Sequence, residues 1–275
     1  MHYNRKKFLI NLNRKVKLGY WKLISNTLKK YNYEPLDNIR PSDIVMAGYP
    51  KSGNTWMQNL LAGLIYGIDT HYLPDKLTQE LIPDLDYKLF FKRMGNEMCF
   101  KTHDLPSPKF RKVIHLIRDP RDVMASYYAM VKGRGKNVSQ RSLIVDNEEM
   151  LFGNWHNHTN AWRDNPYKAE ILLVRYEDLI SDTSNEIKRI LNFIGLERTN
   201  DTINRAIAGN SIIEMKKKEA LYGFDKQFIN KENWVEGHTF VRNGQKGGGK
   251  KELEPELVDF ILSKNKDLLN YYKYL

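Results

Sequence analysis

The chain has 275 residues, 41% of them hydrophobic and 12% aromatic, which is enough apolar surface to bury a core and excludes wholesale disorder. Lys and Arg number 44 against 33 Asp and Glu, and the net charge of +11 indicates an anionic partner: a nucleic acid, an acidic lipid or a phosphorylated small molecule. The single cysteine, Cys99, excludes an intrachain disulfide and favours a reducing compartment, so we expect a cytoplasmic protein.

The first 42 residues are predicted to form an N-terminal helical extension packed on the rest of the chain. The segment around Tyr20, Trp21, Ile24, Leu28 and Tyr31 is amphipathic and basic, a pattern that also fits a helix lying on an anionic membrane. No apolar run approaches the ~20 residues of a membrane-spanning helix, so we expect no transmembrane segment. The basic N-terminus also lacks the apolar core and the cleavage site of a signal peptide.

From Asp43 onward, short apolar strands alternate with longer helices. A strand is predicted over residues 44–47, and Met57, Leu60 and Leu64 then recur at helical spacing. Further strands are predicted at 97–101, 112–117 and 170–174, and further helices at 120–132, 154–164, 183–194 and from Pro255 onward. This alternation predicts an α/β fold with a central parallel sheet flanked by helices, in P-loop-kinase-like topology. We find no linker, so residues 43–275 are expected to form the core of a single domain.

The predicted helix 183–194 carries clear signals at both ends. Thr183 and Glu186 have the spacing of a capping box, and Gly195 follows the last apolar residue. We therefore expect Thr183 to cap this helix and Gly195 to end it.

A phosphate-binding loop is predicted between the first strand of the core and the helix that follows. Gly48 and Gly53 have the G-x-x-x-x-G spacing of a P-loop, and the N-terminus of a helix favours an anion. The Lys-Ser/Thr expected after the second glycine is replaced by Asn54-Thr55, and the lysine stands at position 51 inside the loop. Because a kinase lysine reaches the β- and γ-phosphates from a later position, Lys51 is predicted to contact another part of the ligand. An ordinary turn without a ligand is the alternative.

A second anion site is predicted where the strand 112–117 ends. Arg118 follows this strand, Asp119 is placed to cap the next helix, and Pro120 suits its first position. Open α/β sheets bind ligands at this edge, so Arg118 is a candidate phosphate contact, with Ser126 two turns along the helix. A surface ion pair between Arg118 and Asp122 is the alternative.

Residues 49–56, Tyr-Pro-Lys-Ser-Gly-Asn-Thr-Trp, resemble the 5′-phosphosulfate loop of the cytosolic-type sulfotransferases, and residues 118–128 resemble their 3′-phosphate motif. The two motifs lie in the family's order and at about its spacing, and the similarity extends from about Asp43 to Lys250. This family transfers a sulfuryl group from 3′-phosphoadenosine 5′-phosphosulfate (PAPS) to a hydroxyl or amine without a metal. The resemblance therefore implies PAPS as co-substrate, no metal, and a set of cofactor-binding residues: Lys51, Ser52, Gly53, Asn54, Thr55, Trp56, Arg118 and Ser126.

Lys101-Thr102-His103 resembles the family's Lys-Thr-His, in which the histidine is the general base. An imidazole with an ordinary pKa of about 6.5 suits proton transfer near pH 7. The resemblance implies that His103 deprotonates the acceptor, that Lys51 stabilises the leaving oxygen, and that Lys101 assists from the acceptor side. Without the resemblance, His103 is interpreted as a structural histidine at a strand end.

The resemblance also implies contacts at the adenine end of the nucleotide. Tyr176 matches a tyrosine that contacts adenine in the family, with a core tyrosine as the alternative. Residues 210–212 resemble a Thr-Ser-Phe segment: Ser211 matches, whereas Asn210 and Ile212 depart from it. We expect apolar contact from Ile212 in place of the missing phenylalanine.

A final segment resembles the Arg-Lys-Gly that closes over the 3′-phosphate. Arg242 and Gly244 match, Asn243 replaces the lysine, and Lys246 is a candidate to supply the missing charge. The family's dimer segment has no recognisable counterpart after Lys250, so we expect a monomer or a dimer built differently.

The leading hypothesis is therefore a soluble PAPS-dependent sulfotransferase acting by in-line displacement on a small-molecule acceptor. A P-loop-type nucleotide or small-molecule kinase, and a basic nucleic-acid-binding protein, are the alternatives. The loops 66–92, 127–150 and 220–238 are expected to form the acceptor pocket, with 132–136 as a gate. Phenols, alcohols, sugars and amines all remain open as acceptors.

Overall fold

The computed structural model describes residues 26–223 and 234–275, together with Val16 and Gly19. Tyr20, Trp21 and Ile24 lie outside the described residues, as does part of the segment 220–238. The described strands are β1 (Tyr33–Pro35), β2 (Ile44–Gly48), β3 (Phe90–Lys92), β4 (Cys99–Thr102), β5 (Lys112–Ile117) and β6 (Glu170–Arg175). The described α-helices are α1 (Asn26–Lys29), α2 (Asn54–Tyr66), α3 (Asp75–Leu81), α4 (Pro120–Gly133), α5 (Gln140–Ile144), α6 (Trp155–Asp164), α7 (Tyr176–Ser181), α8 (Thr183–Ile194), α9 (Asn200–Ala208), α10 (Ile212–Tyr222), α11 (Gly249–Glu252), α12 (Pro255–Lys264) and α13 (Lys266–Tyr271). A 3₁₀ turn covers Thr70–Tyr72.

Four strands form a parallel sheet in the order β4-β2-β5-β6. Ile44 at the start of β2 lies opposite Cys99 of β4 and Lys112 of β5, and Lys112 lies opposite Glu170 of β6. β1 and β3 form a separate antiparallel pair. Parallel neighbours need crossover connections, which the helices supply, so the predicted α/β fold with a central parallel sheet is confirmed.

The core lies on both faces of this sheet. Ile44 and Met46 of β2 pack on one face with α2, α8 and α9, whereas Val45 and Ala47 pack on the other face with Phe100. A strand covered on both faces reads as a continuous apolar run, which is why residues 44–47 show no alternation. A third apolar cluster joins α4 to the C-terminal helices α12 and α13.

The N-terminus of α8 differs from its prediction. The Asp182 carboxylate accepts the Asn185 N–H at 3.2 Å, and the Thr183 hydroxyl donates to the Leu179 carbonyl at 2.8 Å. The predicted Thr183–Glu186 capping box is therefore wrong: Asp182 has the side-chain acceptor and the non-helical backbone, with φ −146°, that an N-cap needs. Gly195 ends the helix in the left-handed conformation with φ 72°, as predicted.

The fold brings the predicted functional residues to one edge of the sheet. Lys51 follows β2, His103 follows β4, Arg118 follows β5 and Tyr176 follows β6. Because the four strands run parallel, their carboxyl ends lie side by side, and so do these four residues. Among the described helices, none has both the length and the apolar character that crossing a bilayer requires.

Candidate active site

The loop after β2 has the backbone of an anion site. Lys51 and Gly53 both have left-handed backbones, with φ 71° and 98°. A Cβ at Gly53 would lie 2.6 Å from the ring of Tyr176, so only glycine fits there. Gly53 is the N-cap of α2 and provides no side-chain cap, so the first N–H groups of this helix remain available to a ligand.

Three buried polar atoms around this loop have no hydrogen-bond partner within the described chain: Ser52 Oγ, Asn54 Oδ1 and Arg118 Nε. Buried polar groups are nearly always hydrogen-bonded in folded proteins. The Arg118 Nε–H is a donor that a phosphate or sulfate at this helix N-terminus would satisfy, whereas Asn54 Oδ1 is an acceptor and needs a donor instead. The Asn54 amide nitrogen itself donates to the Tyr49 carbonyl at 2.8 Å and fixes the loop.

Arg118 connects this loop to the segment that covers it. Its guanidinium donates to the carbonyls of Lys51 at 3.2 Å and Gln245 at 2.9 Å, and lies 4.3 Å over the ring of Tyr176. Asp122 is 3.8 Å away, so the ion pair considered from the sequence exists alongside the contacts to the loop. Asp119 caps α4, with Pro120 at the first position as predicted.

The segment 240–249 lies across the site and is anchored at several points. The Arg242 guanidinium pairs with the Glu252 carboxylate, and the Gly244 carbonyl accepts the Tyr176 hydroxyl at 3.1 Å. The Asp122 carboxylate accepts the N–H groups of residues 247 and 249, each at 2.7 Å. Lys246 does not take the role considered for it, because its ammonium donates to the Ser181 hydroxyl at 2.7 Å outside the cavity.

The end of the cavity predicted to bind adenine is formed by side chains that contact one another through hydrogen bonds and ring packing. The Trp56 indole donates to the Asn210 carbonyl at 2.8 Å, and its ring meets that of Tyr176 edge to face at 5.8 Å. Asn210 is buried, with its amide donating to Thr70 and its oxygen accepting the Lys218 ammonium at 2.9 Å. Its side chain is therefore committed to holding the turn before α10.

Two further residues complete this end of the site. Ser211 caps α10, and its hydroxyl accepts the Glu214 N–H at 3.3 Å. Ile212 is 41% exposed and borders the same cavity as Trp56, so an apolar surface is available where the family pattern has a phenylalanine.

His103 is held as a neutral imidazole. Its Nδ1 lies 2.7 Å from the Gly48 carbonyl; because a carbonyl only accepts, Nδ1 carries the proton and Nε2 is left as a base. Burial, followed by the Lys101 charge, lowers the pKa of His103 to about 4. The Asp86 carboxylate accepts the His103 backbone N–H at 2.7 Å and fixes the end of β4.

The two lysines differ in their partners. The Lys101 ammonium pairs with the buried Asp84 carboxylate at 2.5 Å. Lys51 forms no such pair with the described residues, and its ammonium lies 3.9 Å over the Phe240 ring. Burial is the main cause that lowers the pKa of Lys51 to about 7, followed by the charge of Arg134.

One cavity of about 1540 Å³ joins these groups. The predicted residues that line it are Lys51, Gly53, Asn54, Thr55, Trp56, Lys101, His103, Arg118, Ser126, Tyr176, Asn210, Ser211, Ile212, Arg242, Asn243 and Gly244. Ser52 is fully buried beneath the loop and does not line it. The volume exceeds that of a typical small-molecule site, ~300–1,000 Å³, and is sufficient for two ligands side by side.

The sulfotransferase domain model matches residues 41–270 of the chain. The chain belongs to the sulfotransferase family. Sulfotransferase 2A6 of Rattus norvegicus is 28% identical over 229 residues, covering 77% of this chain and 79% of the relative. Sulfotransferase 1E1 of Bos taurus is 26% identical over 221 residues, covering 73% and 75%.

Solved structures show the same fold. Retinol dehydratase in complex with androsterone and the inactive cofactor PAP aligns with a TM-score of 0.64 at 18% identity, over 84% of this chain and 82% of that one. Mouse sulfotransferase SULT7A1 complexed with PAP aligns with a TM-score of 0.61 at 19% identity, over 83% and 86%.

The protein is thus an enzyme that transfers a sulfuryl group to a small-molecule acceptor, and the sulfotransferase activity predicted from the sequence is confirmed. Among the described residues of this sulfotransferase, no three His, Cys, Asp or Glu side chains are grouped as a metal site would require. Asp86, Tyr87 and Arg134 line the cavity and lie within the loops 66–92 and 127–150 expected at the acceptor pocket, but sequence reasoning did not single them out. It missed Phe240, whose signal was its position directly before the Val-Arg-Asn-Gly segment.

Proposed function

We propose that the sulfuryl donor is PAPS and that His103 is the general base. The observation that carries the proposal is the tautomer of His103. Its Nδ1 is committed to the Gly48 carbonyl, and the neutral ring lines the cavity beside Lys51. Both similar solved structures are complexes with PAP, which supports the same nucleotide here.

In the proposed reaction, the acceptor hydroxyl or amine gives its proton to His103 Nε2 and attacks sulfur. The bond between sulfur and the bridging oxygen breaks in line, and its electron pair stays on that oxygen. The oxygen becomes part of the 5′-phosphate of the nucleotide product, 3′-phosphoadenosine 5′-phosphate (PAP). Lys51 stabilises this developing charge in its ammonium form. Arg118, Ser126 and Arg242 hold the 3′-phosphate, while Lys101, fixed by Asp84, assists from the acceptor side.

The donor site supports this assignment because it contains a donor that an anion would satisfy. Arg118 lines the cavity, its Nε lacks a partner in the described chain, and a phosphate oxygen is a suitable acceptor for a guanidinium N–H. Trp56 and Tyr176 offer aromatic surface for the adenine, with Ile212 on the same wall.

Incubation with PAPS and an acceptor panel of phenols, alcohols, sugars and amines, followed by mass spectrometry, should give products one sulfuryl group heavier. His103→Gln should lower kcat by about 10²–10⁴-fold, the usual contribution of a general base, and leave the Kd for PAP within a few fold. His156→Gln is the control, because His156 bonds Asn265 and does not line the cavity. Sulfation by His103→Gln at the parental rate would refute the assignment.

We further propose that the protein acts in the cytoplasm, as a monomer or as a dimer built without the family's usual dimer segment, with residues 1–42 packed on a single domain formed by residues 43–275. The buried thiol of Cys99 and the missing dimer segment after Lys250 support this proposal. Size-exclusion chromatography with light scattering measures the mass, and a dimer held together by the segment after Lys250 would contradict the proposal.

A further inference from the structure

Arg134 ends α4 inside the cavity, and no role has been assigned to it so far. It is the C-cap of the helix, where its N–H donates to the Met130 carbonyl at 3.1 Å, and Gly135 then turns the chain with φ 71°. Met130 and Tyr127 precede it by four and seven residues, a spacing that places all three on one face of the helix. All three line the cavity, so this face of α4 forms one of its walls.

Arg134 has no carboxylate partner among the residues that the structure describes. Its Nε is buried without a hydrogen bond, and no acid of the described chain forms an ion pair with its guanidinium. The neighbouring cavity cations differ in this respect: Lys101 pairs with Asp84, Lys88 with Glu80, Arg242 with Glu252 and Arg118 with Asp122. Among the partly buried cations of the cavity, Lys51 and Arg134 alone lack an acid in the part of the chain that the structure describes.

The position of Arg134 separates it from the 3′-phosphate site. At 1.5 Å per residue, it lies about 20 Å along α4 from the N-terminal end, where Arg118 and Asp119 are. Its charge acts instead on Lys51, where it is the first cause after burial that lowers the pKa, and on Tyr87, where it opposes the rise in pKa caused by burial and by Asp84 and Asp86. Arg134 therefore lies at the sulfuryl end of the donor site, on the side where the acceptor must approach.

We infer that Arg134 binds an anionic group of the acceptor, so that the preferred acceptor carries a carboxylate, sulfate or phosphate in addition to the hydroxyl or amine that is sulfated. An unpaired guanidinium in a cavity is costly to desolvate, and a neutral acceptor would cover it without compensation. The planar fork of arginine matches a carboxylate or a phosphoryl group with two parallel hydrogen bonds. This inference rests on the proposed function and specifies its acceptor class.

Matched acceptors test the inference. The pairs are 4-hydroxyphenylacetate with 4-hydroxyphenylacetamide, and 4-(hydroxymethyl)benzoate with its amide, so that each carboxylate has a neutral partner of the same shape. The parent should sulfate the carboxylates with a kcat/KM at least about tenfold higher, the effect of one charge-assisted bidentate contact. If turnover is too slow to measure, calorimetric titration of the same pairs into PAP-loaded protein gives the same comparison.

Arg134→Gln should remove the preference by raising the KM of the carboxylates, while the Kd for PAP stays within a few fold. Arg134→Lys, which keeps the charge but loses the fork, should retain part of the preference. Arg141→Gln is the matched control, because it removes one exposed positive charge from α5 outside the cavity. It should behave like the parent.

The inference is overturned if the parent prefers the amides, if Arg134→Gln keeps the preference, or if PAP-loaded protein binds none of the carboxylates. An equal loss of kcat for neutral and anionic acceptors would also overturn it, because Arg134 would then act on the transferred sulfuryl group. Failure of the parent to bind PAP would instead refute the proposed function, so the two failures are distinguishable.

Discussion

Lys51 is the cavity cation whose charge changes near neutral pH. Burial, with the charges of Arg134, Arg118 and Arg242, lowers the pKa of its ammonium to about 7. A lowered pKa means that the positive charge is fully present well below pH 7 and is lost as the pH rises through 7. Phosphate oxygens beside Lys51 favour the ammonium form, so PAP binding should take up a proton from solution.

The size of this uptake follows from the pKa. At pH 7 about half of the molecules carry the neutral amine, and at pH 8 about nine-tenths do, so binding should take up about 0.5 and 0.9 proton at these values. Above pH 7, the Kd for PAP should therefore rise by up to about tenfold per pH unit until the pKa of the complex is reached. Because phosphate groups themselves titrate near pH 6, the informative window is pH 7 to 8.5.

Calorimetry measures the uptake directly. Tris and HEPES have different ionisation enthalpies. The binding heats measured in these two buffers at pH 8 should therefore differ by the number of protons taken up multiplied by the difference between the two ionisation enthalpies. Lys51→Met should bind PAP more weakly and lose this dependence on the buffer, whereas Lys76→Met, which removes an exposed lysine of the same cavity, should keep it. Equal heats for the parent in both buffers at pH 8 would refute the reasoning.

Three further changes probe the support of the site. Asn210→Ala leaves the buried Lys218 ammonium without its acceptor and should lower the free energy of unfolding by about 2–3 kcal/mol in urea denaturation, and adding Lys218→Met should recover most of this loss. Gly249→Ala would place a Cβ 2.3 Å from the backbone of α4, so Tm and PAP affinity should both fall, whereas Gly95→Ala, whose nearest atom would lie at 3.5 Å, should change neither. Arg118→Gln should raise the Kd for PAP by about ten- to hundredfold in calorimetry and leave the acceptor KM unchanged.

Clear results would contradict these expectations. A double variant no more stable than Asn210→Ala would show that the lost acceptor is not what destabilises the protein. Parental PAP affinity in Gly249→Ala would show that the segment 240–249 adapts without disturbing the site. A Kd unchanged in Arg118→Gln would place the 3′-phosphate elsewhere.

The sheet and the donor loop were predictable because their signals are local. The strand Lys112–Ile117 and the helix Thr183–Ile194 have the predicted bounds, since an apolar run between polar residues and an amphipathic repeat each determine one element. The N-cap of α4 followed from Asp119-Pro120 for the same reason. Lys51 and Arg118 could be placed together because parallel strands end at one edge.

The rest depended on contacts between distant segments. The sequence pattern fits a Thr183 cap, but the backbone entering α8 gives the role to Asp182. Lys246 was a candidate replacement charge on the sequence, whereas the fold places its ammonium against Ser181, 65 residues earlier in the chain. Arg134 lies within the loop 127–150 expected at the acceptor pocket, but no local pattern distinguishes it from its neighbours, because the distinction depends on which described acids form ion pairs with the cavity cations.

The distribution of acids also explains how a protein with a net charge of +11 limits its own attraction for anions. Arg118, Arg242 and Lys101 each face a carboxylate, so an arriving ligand must share these cations with Asp122, Glu252 and Asp84, and each contact contributes less than it would at an unpaired cation. Lys51 and Arg134 form no ion pair with a described acid, although the charge of Glu219 reaches Lys51. An anionic group of a ligand therefore gains the most binding free energy at these two residues. Lys51 lies on the donor side of the sulfuryl group, and Arg134 lies on the acceptor side. Such an arrangement favours ligands whose anionic groups lie on both sides of the reacting bond over a polyanion that meets only the outer surface.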